Sequence, residues 1–246
     1  MRKIISISSI QNDTLKSWAK LHQKKYRDQS KTFLIEGKHG VEEAIKYDHC
    51  QAIWTIDPEM IPFDGLIHVS PQHVINKLST QKSDIDIVGL CTVPTLPIHQ
   101  TDRVFLCDDI QDPGNLGTII RSALAFGFDG IYLSKNTVDY TNEKVVRATQ
   151  GAIFQIPIQV VDLVQTIQQL KENQVVTIGL SVDQTLIDDC PVSNKMAFVL
   201  GNEGRGIDAS ILEACDVKMT IPITNIESLN VAVCAGIIGY RFAKVT

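Results

Sequence analysis

The part of the sequence that most limits the possible folds begins at Arg103. From there on, short apolar runs alternate with stretches of helical periodicity. Near-continuous apolar strands separated by helices are typical of a parallel sheet that is covered on both faces. The strand-like runs are Arg103–Cys107, Gly130–Leu133, Gln155–Val160, Val175–Leu180, Met196–Leu200 and Val217–Ile221, and the helical stretches are Leu116–Phe126, Asn142–Gln150, Asp162–Glu172, Asp208–Ala214 and Leu229–Ala243. The sequence predicts an α/β domain, with ligands at the loops after Cys107, Leu180, Leu200 and Ile221.

The chain before Arg103 predicts a second, smaller α/β domain. An amphipathic helix is expected over Thr14–Arg27, and shorter strand-like and helical segments alternate from there to Val93. The stretch CTVPTLPIHQTD that follows contains two prolines, which favour an extended connection. We therefore predict a first domain over residues 1–95, a linker over 96–101 and a second domain over 102–246.

Positive charge is concentrated near the start of the chain. The formal net charge is −5, yet residues 1–38 carry nine Lys or Arg against three Asp or Glu. A basic surface on an otherwise acidic protein is expected where the protein meets phosphate groups. A solvated helix face is the alternative explanation of the same charges.

Composition argues against several classes of protein. An apolar content of 44% is sufficient for a buried core. No window approaches the roughly 18 apolar residues of a membrane span, and MRKIISISSIQND has no signal-peptide core. We therefore expect a cytoplasmic protein with no membrane partner. The six cysteines form no C-x-x-C pair and the histidines form no H-E-x-x-H pattern, so we expect reduced thiols and no metal site.

The first loop at the expected sheet edge contains the turn DPGN, which ends at Asn115. Pro and Gly form turns, and Asn115 can cap the helix that follows. Gly117 and Arg121 are four residues apart, so they share a helix face on which a ligand can approach the guanidinium. A surface ion pair of Arg121 with Asp108 or Asp109 is the alternative. Neither G-x-G-x-x-G nor G-K-[ST] occurs, which leaves dinucleotide and P-loop binding without support.

The second loop, GNEGRG over residues 201–206, directly follows the apolar run Met196–Leu200. Its three glycines allow the backbone to approach a ligand closely, and Glu203 lies in its middle. A carboxylate and exposed amides at a strand end suit an adenosine-like ligand with a cationic group. A tight strand-to-helix turn with Glu203 in solvent is the alternative.

The third loop follows the strand-like run that ends at Ile221. Ser228 is expected to cap the last helix, with Asn230 in its first turn. This helix is rich in Ala and Gly. Its small residues permit close packing, either inside the fold or against a second subunit.

Together the three loops resemble the motifs of a known family. N-L-G-T-I-I-R (Asn115–Arg121), G-N-E-G-R-G (Gly201–Gly206) and I-P-I…S-L-N-V-A-V (Ile221–Val233) closely resemble, in this order, the three motifs of the SpoU (TrmH-like) RNA ribose methyltransferases of the SPOUT superfamily. The resemblance extends to K-V-V-R-A-T-Q-G-A-I-F (Lys144–Phe154). The N-terminal Q-N-D-T-L-K and F-L-I-E-G look like the substrate-binding domain of ribosomal-RNA members. One departure is the Pro222–Ser228 loop, which is about one residue shorter than usual and lacks the common glycine.

The resemblance implies an enzyme that transfers a methyl group from S-adenosylmethionine to a ribose 2′-hydroxyl of RNA. It also implies a deep trefoil knot in the C-terminal domain, a homodimer and an RNA-binding N-terminal domain. Large-subunit ribosomal RNA is the favoured substrate. The alternatives are a transfer-RNA 2′-O-methyltransferase and a non-catalytic RNA-binding or ribosome-assembly protein that keeps the fold.

The resemblance also suggests a role for each matching residue. Because a guanidinium is always charged, Arg121 is expected to stabilise a developing alkoxide or to hold a phosphate rather than to act as the base. The expected catalytic residues are Asn115, Arg121, Glu203, Ser228 and Asn230; the expected cofactor-binding residues are Leu180, Leu200, Gly201, Asn202, Gly206, Ile221, Ile223, Ser228 and Leu229; and the expected RNA-binding residues are Lys20, Lys24, Lys25, Arg27, Lys38, Lys144 and Arg147.

Overall fold

A computed structural model describes residues 2–99 and 101–243 of the chain. Met1, Gln100 and residues 244–246 lie outside the described residues. Gln100 belongs to the predicted linker, Met1 to the first predicted domain and residues 244–246 to the second. The strands are β1 (Lys3–Ser6), β2 (Thr32–Glu36), β3 (Cys50–Thr55), β4 (Leu66–Val69), β5 (Ile87–Thr92), β6 (Arg103–Cys107), β7 (Gly130–Ser134), β8 (Ile158–Val161), β9 (Val176–Leu186), β10 (Met196–Leu200) and β11 (Val217–Thr220). The helices are α1 (Asp13–Ala19), α2 (Lys24–Ser30), α3 (Lys38–Lys46), α4 (Gln72–Ile75), α5 (Pro113–Ala125), α6 (Glu143–Thr149), α7 (Leu163–Glu172), α8 (Ala209–Ala214) and α9 (Val231–Arg241).

The chain divides into two compact units. The first unit contains Met1–Pro94 and Asp139–Gln155, and the second contains Thr95–Val138 and Ile156–Thr246. The segment with α6 therefore belongs to the first unit, although it follows β7 of the second unit in sequence. The domain boundaries proposed from sequence include that segment in the second domain, and they stay a prediction.

The first unit is built on a mixed sheet in the order β1-β4-β3-β5-β2. Strands β1, β4 and β3 are parallel, whereas β5 is antiparallel to β3 and to β2. Its core is aromatic: the rings of Trp18 and Trp54 meet edge to face with centroids 5.5 Å apart, a favourable arrangement. The edge strand β1 has no counterpart among the sequence predictions.

The predicted amphipathic helix Thr14–Arg27 is divided in the structure. Helix α1 ends at Ala19, a 3-10 turn covers Lys20–His22, and α2 begins after Gln23, whose backbone is extended. Leu15, Trp18 and Leu21 are buried as the periodicity predicts. The break lets the next buried residue, Arg27, come from α2 rather than from a continuation of α1.

The second unit confirms the predicted parallel α/β sheet. Its six strands run in the order β11-β9-β10-β6-β7-β8, and every pair is parallel. The centre of the sheet is fully buried, and the rings of Phe105 and Phe128 stack with centroids 4.1 Å apart. Strand β8 begins at Ile158 instead of the predicted Gln155, because Ala152–Phe154 forms a 3-10 turn.

The described residues lack two kinds of feature. No helix within residues 2–99 and 101–243 is long and apolar enough to cross a membrane. The same residues contain no cluster of three or more His, Cys, Asp or Glu side chains with the geometry of a metal site.

Candidate active site

The carboxyl ends of β6 and β10 lie side by side in the second unit. On one side of this pair the sheet continues through β7 and β8, and on the other through β9 and β11. Such a reversal of strand order is a topological switch point, where open parallel sheets bind ligands. The Asp108 N–H donates to the Leu200 carbonyl at 2.8 Å. The loops predicted after Cys107 and Leu200 are therefore neighbours.

The GNEGRG loop after β10 is folded back on itself. Asn202 and Gly206 exchange backbone hydrogen bonds of 3.0 and 2.9 Å, and Asn202 Oδ1 accepts from the N–H groups of Gly204 and Arg205 at 2.9 and 3.1 Å. A Cβ atom on Gly201 would clash with the backbone of Gly206. Glycine at position 201 is therefore required by close backbone approach, which agrees with the role predicted for the glycines of this loop.

Asp109 holds the first and second loops together. Its backbone is left-handed, with φ of 55°. The Asn202 amide donates to the Asp109 carbonyl at 2.8 Å, Arg205 forms an ion pair with its carboxylate, and Gln111 Nε2 donates to Oδ1 at 2.6 Å. Sequence reasoning missed these roles of Asp109, Gln111 and Arg205. Their only signal is their position inside or beside the matched motifs.

A chain of hydrogen bonds connects all three loops. The Asn230 amide donates to Asn115 Oδ1 at 2.8 Å, and the Asn115 amide donates to Glu203 Oε1 at 2.9 Å. Glu203 also accepts from the backbone N–H groups of Gln111 and Asp112 at 3.4 and 3.3 Å. The structure thus brings together one residue from each motif: Asn115, Glu203 and Asn230.

These hydrogen bonds stabilise the charged form of Glu203. Partial burial tends to raise the pKa of its carboxyl group, but the bonds from the Asn115 amide and from nearby backbone N–H groups outweigh burial, and the pKa is held below its usual value. Asp108 shows the opposite balance: burial raises its pKa. Glu203 is therefore the anionic group of the cluster at neutral pH.

Both helix caps near the cluster differ from the sequence predictions. Asp112 caps α5 by accepting from the Asn115 N–H at 2.8 Å, so Asn115 is not the cap. Asn230 caps α9 by accepting from the N–H groups of Ala232 and Val233 at 2.9 and 3.3 Å, so Ser228 is not the cap. Because the chain becomes helical only after Asn230, Ser228 is too early in sequence to cap α9.

Arg121 is exposed on α5 and lies outside the hydrogen-bonded cluster. The alternative of an ion pair with Asp108 or Asp109 is not observed: Asp109 pairs with Arg205, and Asp108 accepts a backbone N–H at 2.9 Å. Within the part of the chain that the structure describes, the Arg121 guanidinium has no ion-pair or hydrogen-bond partner. Its charge is available to a ligand.

Leu180 lies at an interruption of β9. The strand is bounded by Val176 and Leu186, but its pairing with β11 jumps from Gly179 opposite Lys218 to Thr185 opposite Met219. Leu180 therefore follows the last regularly paired position, and its role as a cofactor residue stays a prediction. The other predicted cofactor residues lie at the end of β10 (Leu200), in the loop after it (Gly201, Asn202, Gly206) or in the segment after β11 (Ile221, Ile223, Ser228, Leu229).

The predicted RNA-binding residues all belong to the first unit. Lys20, Lys24, Lys25, Lys38 and Lys144 are exposed. Arg147 is partly exposed and pairs with Glu36 at 3.2 Å. Arg27 is different: its side chain is only 4% exposed, it pairs with Asp139 at 2.5 Å, and it donates to Thr141 at 3.0 Å. Its guanidinium is used inside the protein and is not open to a phosphate. The sequence reveals the charge of Arg27 but not its burial.

Two family descriptions match the chain. The SpoU rRNA Methylase family matches residues 102–240, and the MRM3-like substrate binding domain matches residues 12–83. The chain is 37% identical over 242 residues to the 23S rRNA (guanosine(2553)-2'-O)-methyltransferase RlmP of Bacillus subtilis, and the comparison covers 96% of this chain and 98% of the relative.

Solved structures agree with this result. The AdoMet bound rRNA methyltransferase from Sinorhizobium meliloti is 26% identical, with a TM-score of 0.85 and 97% of each chain covered. The SpoU methyltransferase AviRb from Streptomyces viridochromogenes, in complex with AdoMet, is 21% identical, with a TM-score of 0.83 and 94% of this chain and 97% of that chain covered; this likeness concerns the fold alone. From its motifs, its fold and these relatives, the chain belongs to the SpoU rRNA methylase family.

Proposed function

We propose that this protein is an S-adenosylmethionine-dependent methyltransferase acting on a ribose 2′-hydroxyl of large-subunit ribosomal RNA. The observation that carries the proposal is the hydrogen-bonded cluster of Asn115, Glu203 and Asn230 at the switch point of a SpoU-family sheet. The 37% identical relative is named for 2′-O-methylation of 23S rRNA, which favours this substrate over transfer RNA.

The loops after β10 and β11 fit the proposed cofactor. Gly201 leaves no side chain where the backbone must come close, and Glu203 supplies negative charge near a cationic ligand. When bound, S-adenosylmethionine supplies the methyl group on a sulfonium. The residues proposed to hold it are Leu200, Gly201, Asn202, Gly206, Ile221, Ile223, Ser228 and Leu229. Leu180 is proposed with them, because the pairing of β9 with β11 is interrupted directly after Gly179.

The residues of the cluster are proposed to orient the ribose. Glu203 fixes the Asn115 amide, and Asn115 in turn fixes the amide of Asn230. Such fixed dipoles align the reacting oxygen and need no rearrangement during the reaction. Arg121 is proposed to stabilise the developing alkoxide or to hold the neighbouring phosphate. The proton leaves through another group or water, since a guanidinium does not deprotonate.

A homodimer and the trefoil knot are part of the same proposal. Val233, Gly236 and Tyr240 lie on one face of α9, because residues three and seven apart share a face. Val233 is 50% exposed and Tyr240 80% exposed, and a Cβ atom on Gly236 would have no neighbour within 4 Å. This exposed, partly apolar face supports a second subunit as its partner. Membership of the family supports the knot.

The first unit is proposed to bind the RNA through Lys20, Lys24, Lys25, Lys38, Lys144 and the partly exposed Arg147, with Arg27 excluded. Ribosomal RNA as a substrate also supports a location in the cytoplasm.

A non-catalytic RNA-binding protein is disfavoured, because RNA binding alone does not require Asn115, Glu203 and Asn230 to be connected by hydrogen bonds.

The test is transfer of labelled methyl from S-adenosylmethionine to RNA isolated from cells that lack this protein. Large-subunit RNA and transfer RNA are assayed separately, and labelled RNA is digested to nucleosides. The proposal predicts label as a 2′-O-methyl nucleoside in large-subunit RNA. Label in transfer RNA would support the alternative substrate. Cofactor binding without label in naked RNA or in precursor ribosomes would support the non-catalytic alternative.

A further inference from the structure

The first unit contains two cysteines that face each other across its sheet. Cys50 on β3 is directly opposite Cys91 on β5, and the two strands are antiparallel. Side chains that are directly opposite in such a pair lie on the same face of the sheet and contact each other. Both cysteines are free thiols, and the proposed methyl transfer uses neither of them.

The backbone brings the two cysteines to a separation that a disulfide can bridge. The Thr92 N–H donates to the His49 carbonyl at 2.9 Å, which is the bond that flanks a non-hydrogen-bonded pair in an antiparallel ladder. At such positions opposite Cα atoms are about 4.5 Å apart, and disulfides span Cα separations of about 4.4–6.8 Å. The register shifts only beyond this pair, between Cys50 and Ala52.

The sulfur of Cys50 lies against the face of β5 that carries Cys91. Gly89 and Cys91 are two residues apart on this strand, so they share a face. A Cβ atom on Gly89 would lie 3.6 Å from Cys50 Sγ. In addition, burial raises the pKa of the Cys91 thiol, and the adjacent Cys50 thiol raises it further. These two observations agree that the thiols are neighbours.

The two thiols differ in their access to solvent. Cys50 is partly exposed, whereas Cys91 is fully buried. A small oxidant therefore reaches Cys50 first. The raised pKa of Cys91 keeps that thiol protonated, and a protonated thiol is a poor nucleophile. The first reaction with an oxidant is thus expected at Cys50, with Cys91 in place to react with the product.

We propose that Cys50 and Cys91 are a redox modification site, at which a peroxide produces a reversible disulfide. The Cys50 thiolate attacks one peroxide oxygen; the O–O bond breaks, a sulfenic acid forms on Cys50 and the other oxygen leaves as water. Cys91 then attacks the Cys50 sulfur; the S–S bond forms, the S–O bond breaks and a second water leaves with the proton of Cys91. The two thiols are oxidised and the peroxide is reduced to water.

The test treats the folded, fully reduced, full-length protein with hydrogen peroxide. Free thiols are then counted under denaturing conditions, and unreduced peptides are identified by mass spectrometry. We expect the wild type to lose two of its six thiols. We also expect one linked pair of peptides, which contains Cys50 and Cys91 and is lighter by two hydrogen atoms than the separate peptides. Dithiothreitol should restore all six thiols.

Two variants test the assignment to this pair. Cys50→Ser is expected to keep all its remaining thiols under the same treatment. Cys215→Ser is the matched control, because Cys215 is also partly exposed and its thiol also donates to a backbone carbonyl, that of Ile211 at 3.3 Å, as Cys50 does to Ala52 at 3.6 Å. This control should still lose two thiols and give the same linked peptides as wild type.

Retention of all six thiols by the wild type, at a peroxide concentration that fully oxidises free dithiothreitol, would overturn the proposal. So would a disulfide from Cys50 to any cysteine other than Cys91 of the same chain, or conversion of Cys50 to a sulfinic acid with Cys91 still free. The mapping of the wild type needs no substitution, so the test stands even if a variant fails to fold. No step requires S-adenosylmethionine or RNA, and the inference is therefore independent of the proposed function.

Discussion

At the scale of single residues, Asn115 is the connection between the loops, because its side chain bonds both to Glu203 and to Asn230. Asn115→Ala removes a bond that lowers the pKa of Glu203, so that pKa should rise, as measured by NMR titration of the carboxyl carbon. Methyl transfer should fall on the order of 100-fold through misplaced groups. Asn173→Ala, which removes only a surface bond to a helix carbonyl, is the control. An unshifted Glu203 pKa would contradict the role given to Asn115.

The buried pair of Arg27 and Asp139 gives a prediction on stability. Burial alone raises the pKa of Asp139, but bonds from Arg27 and Thr141 outweigh it and hold the pKa below its usual value of 3.8. Asp139→Asn leaves a buried guanidinium without its counter-ion and should lower the free energy of unfolding by about 3–5 kcal/mol. Glu59→Gln, in an exposed pair with Arg2, should cost about 0–1 kcal/mol.

The same pair makes stability depend on pH. Since the folded-state pKa of Asp139 is depressed, its stabilisation is present above the unfolded value of 3.8 and is lost as the pH falls through the folded value. Urea unfolding between about pH 2 and 5 should therefore show a steeper loss for wild type than for Asp139→Asn. Parallel curves for the two proteins would show that Asp139 is not depressed.

At the scale of elements, the loop after β10 depends on Gly201 but not on Gly204. A Cβ atom at 201 would clash with backbone, whereas one at 204 would meet only the Asn202 side chain at 3.7 Å. Gly201→Ala should cost about 1–3 kcal/mol and weaken S-adenosylmethionine binding in calorimetry, while Gly204→Ala should resemble wild type. Equal effects of both changes would contradict the close backbone approach at 201.

The cap of α9 is a second prediction at this scale. Asn230→Ala should destabilise the protein by about 0.5–2 kcal/mol, since it removes the cap. Ser228→Ala should leave the melting temperature unchanged, and Asn230→Asp should keep most of the stability because Asp also caps. A larger loss from Ser228→Ala than from Asn230→Ala would restore the cap that the sequence suggested.

Most elements of the second unit could be predicted because long apolar runs and helical periods are local signals. One boundary differs through a tertiary contact, since β9 resumes its pairing with β11 at Thr185. The helix starts differ locally, because Asp112 and Asn230 form the caps that were predicted for Asn115 and Ser228. The three motif residues Asn115, Glu203 and Asn230 were found through the family resemblance. The ion pair of Asp109 with Arg205 could not be predicted from sequence, because it joins positions 96 residues apart.

At the scale of the whole molecule, the charge distribution predicts how RNA binding depends on salt. Replacing Lys20, Lys24 and Lys25 by alanine should reduce the slope of log affinity against log salt by up to about 0.9 for each phosphate that these lysines neutralise. Lys195→Ala, at the amino end of β10, should leave the slope unchanged. An unchanged slope in the triple variant would place RNA binding elsewhere.

The assignment of residues 139–155 to the first unit could not be predicted from sequence, since local patterns do not show which core a helix joins.

The most direct test of the whole account is the single-turnover rate of methyl transfer to the ribose 2′-oxygen of large-subunit RNA, with S-adenosylmethionine affinity measured in parallel. Wild type is compared with Arg121→Ala, Arg121→Lys and the control Lys195→Ala, which removes a charge at the opposite edge of the same sheet. The account predicts a large loss of rate for both Arg121 variants, unchanged cofactor affinity, and a wild-type rate for Lys195→Ala. Near-full transfer by Arg121→Lys would contradict a specific role of the guanidinium, and no transfer by wild type to any RNA would contradict the proposed enzyme.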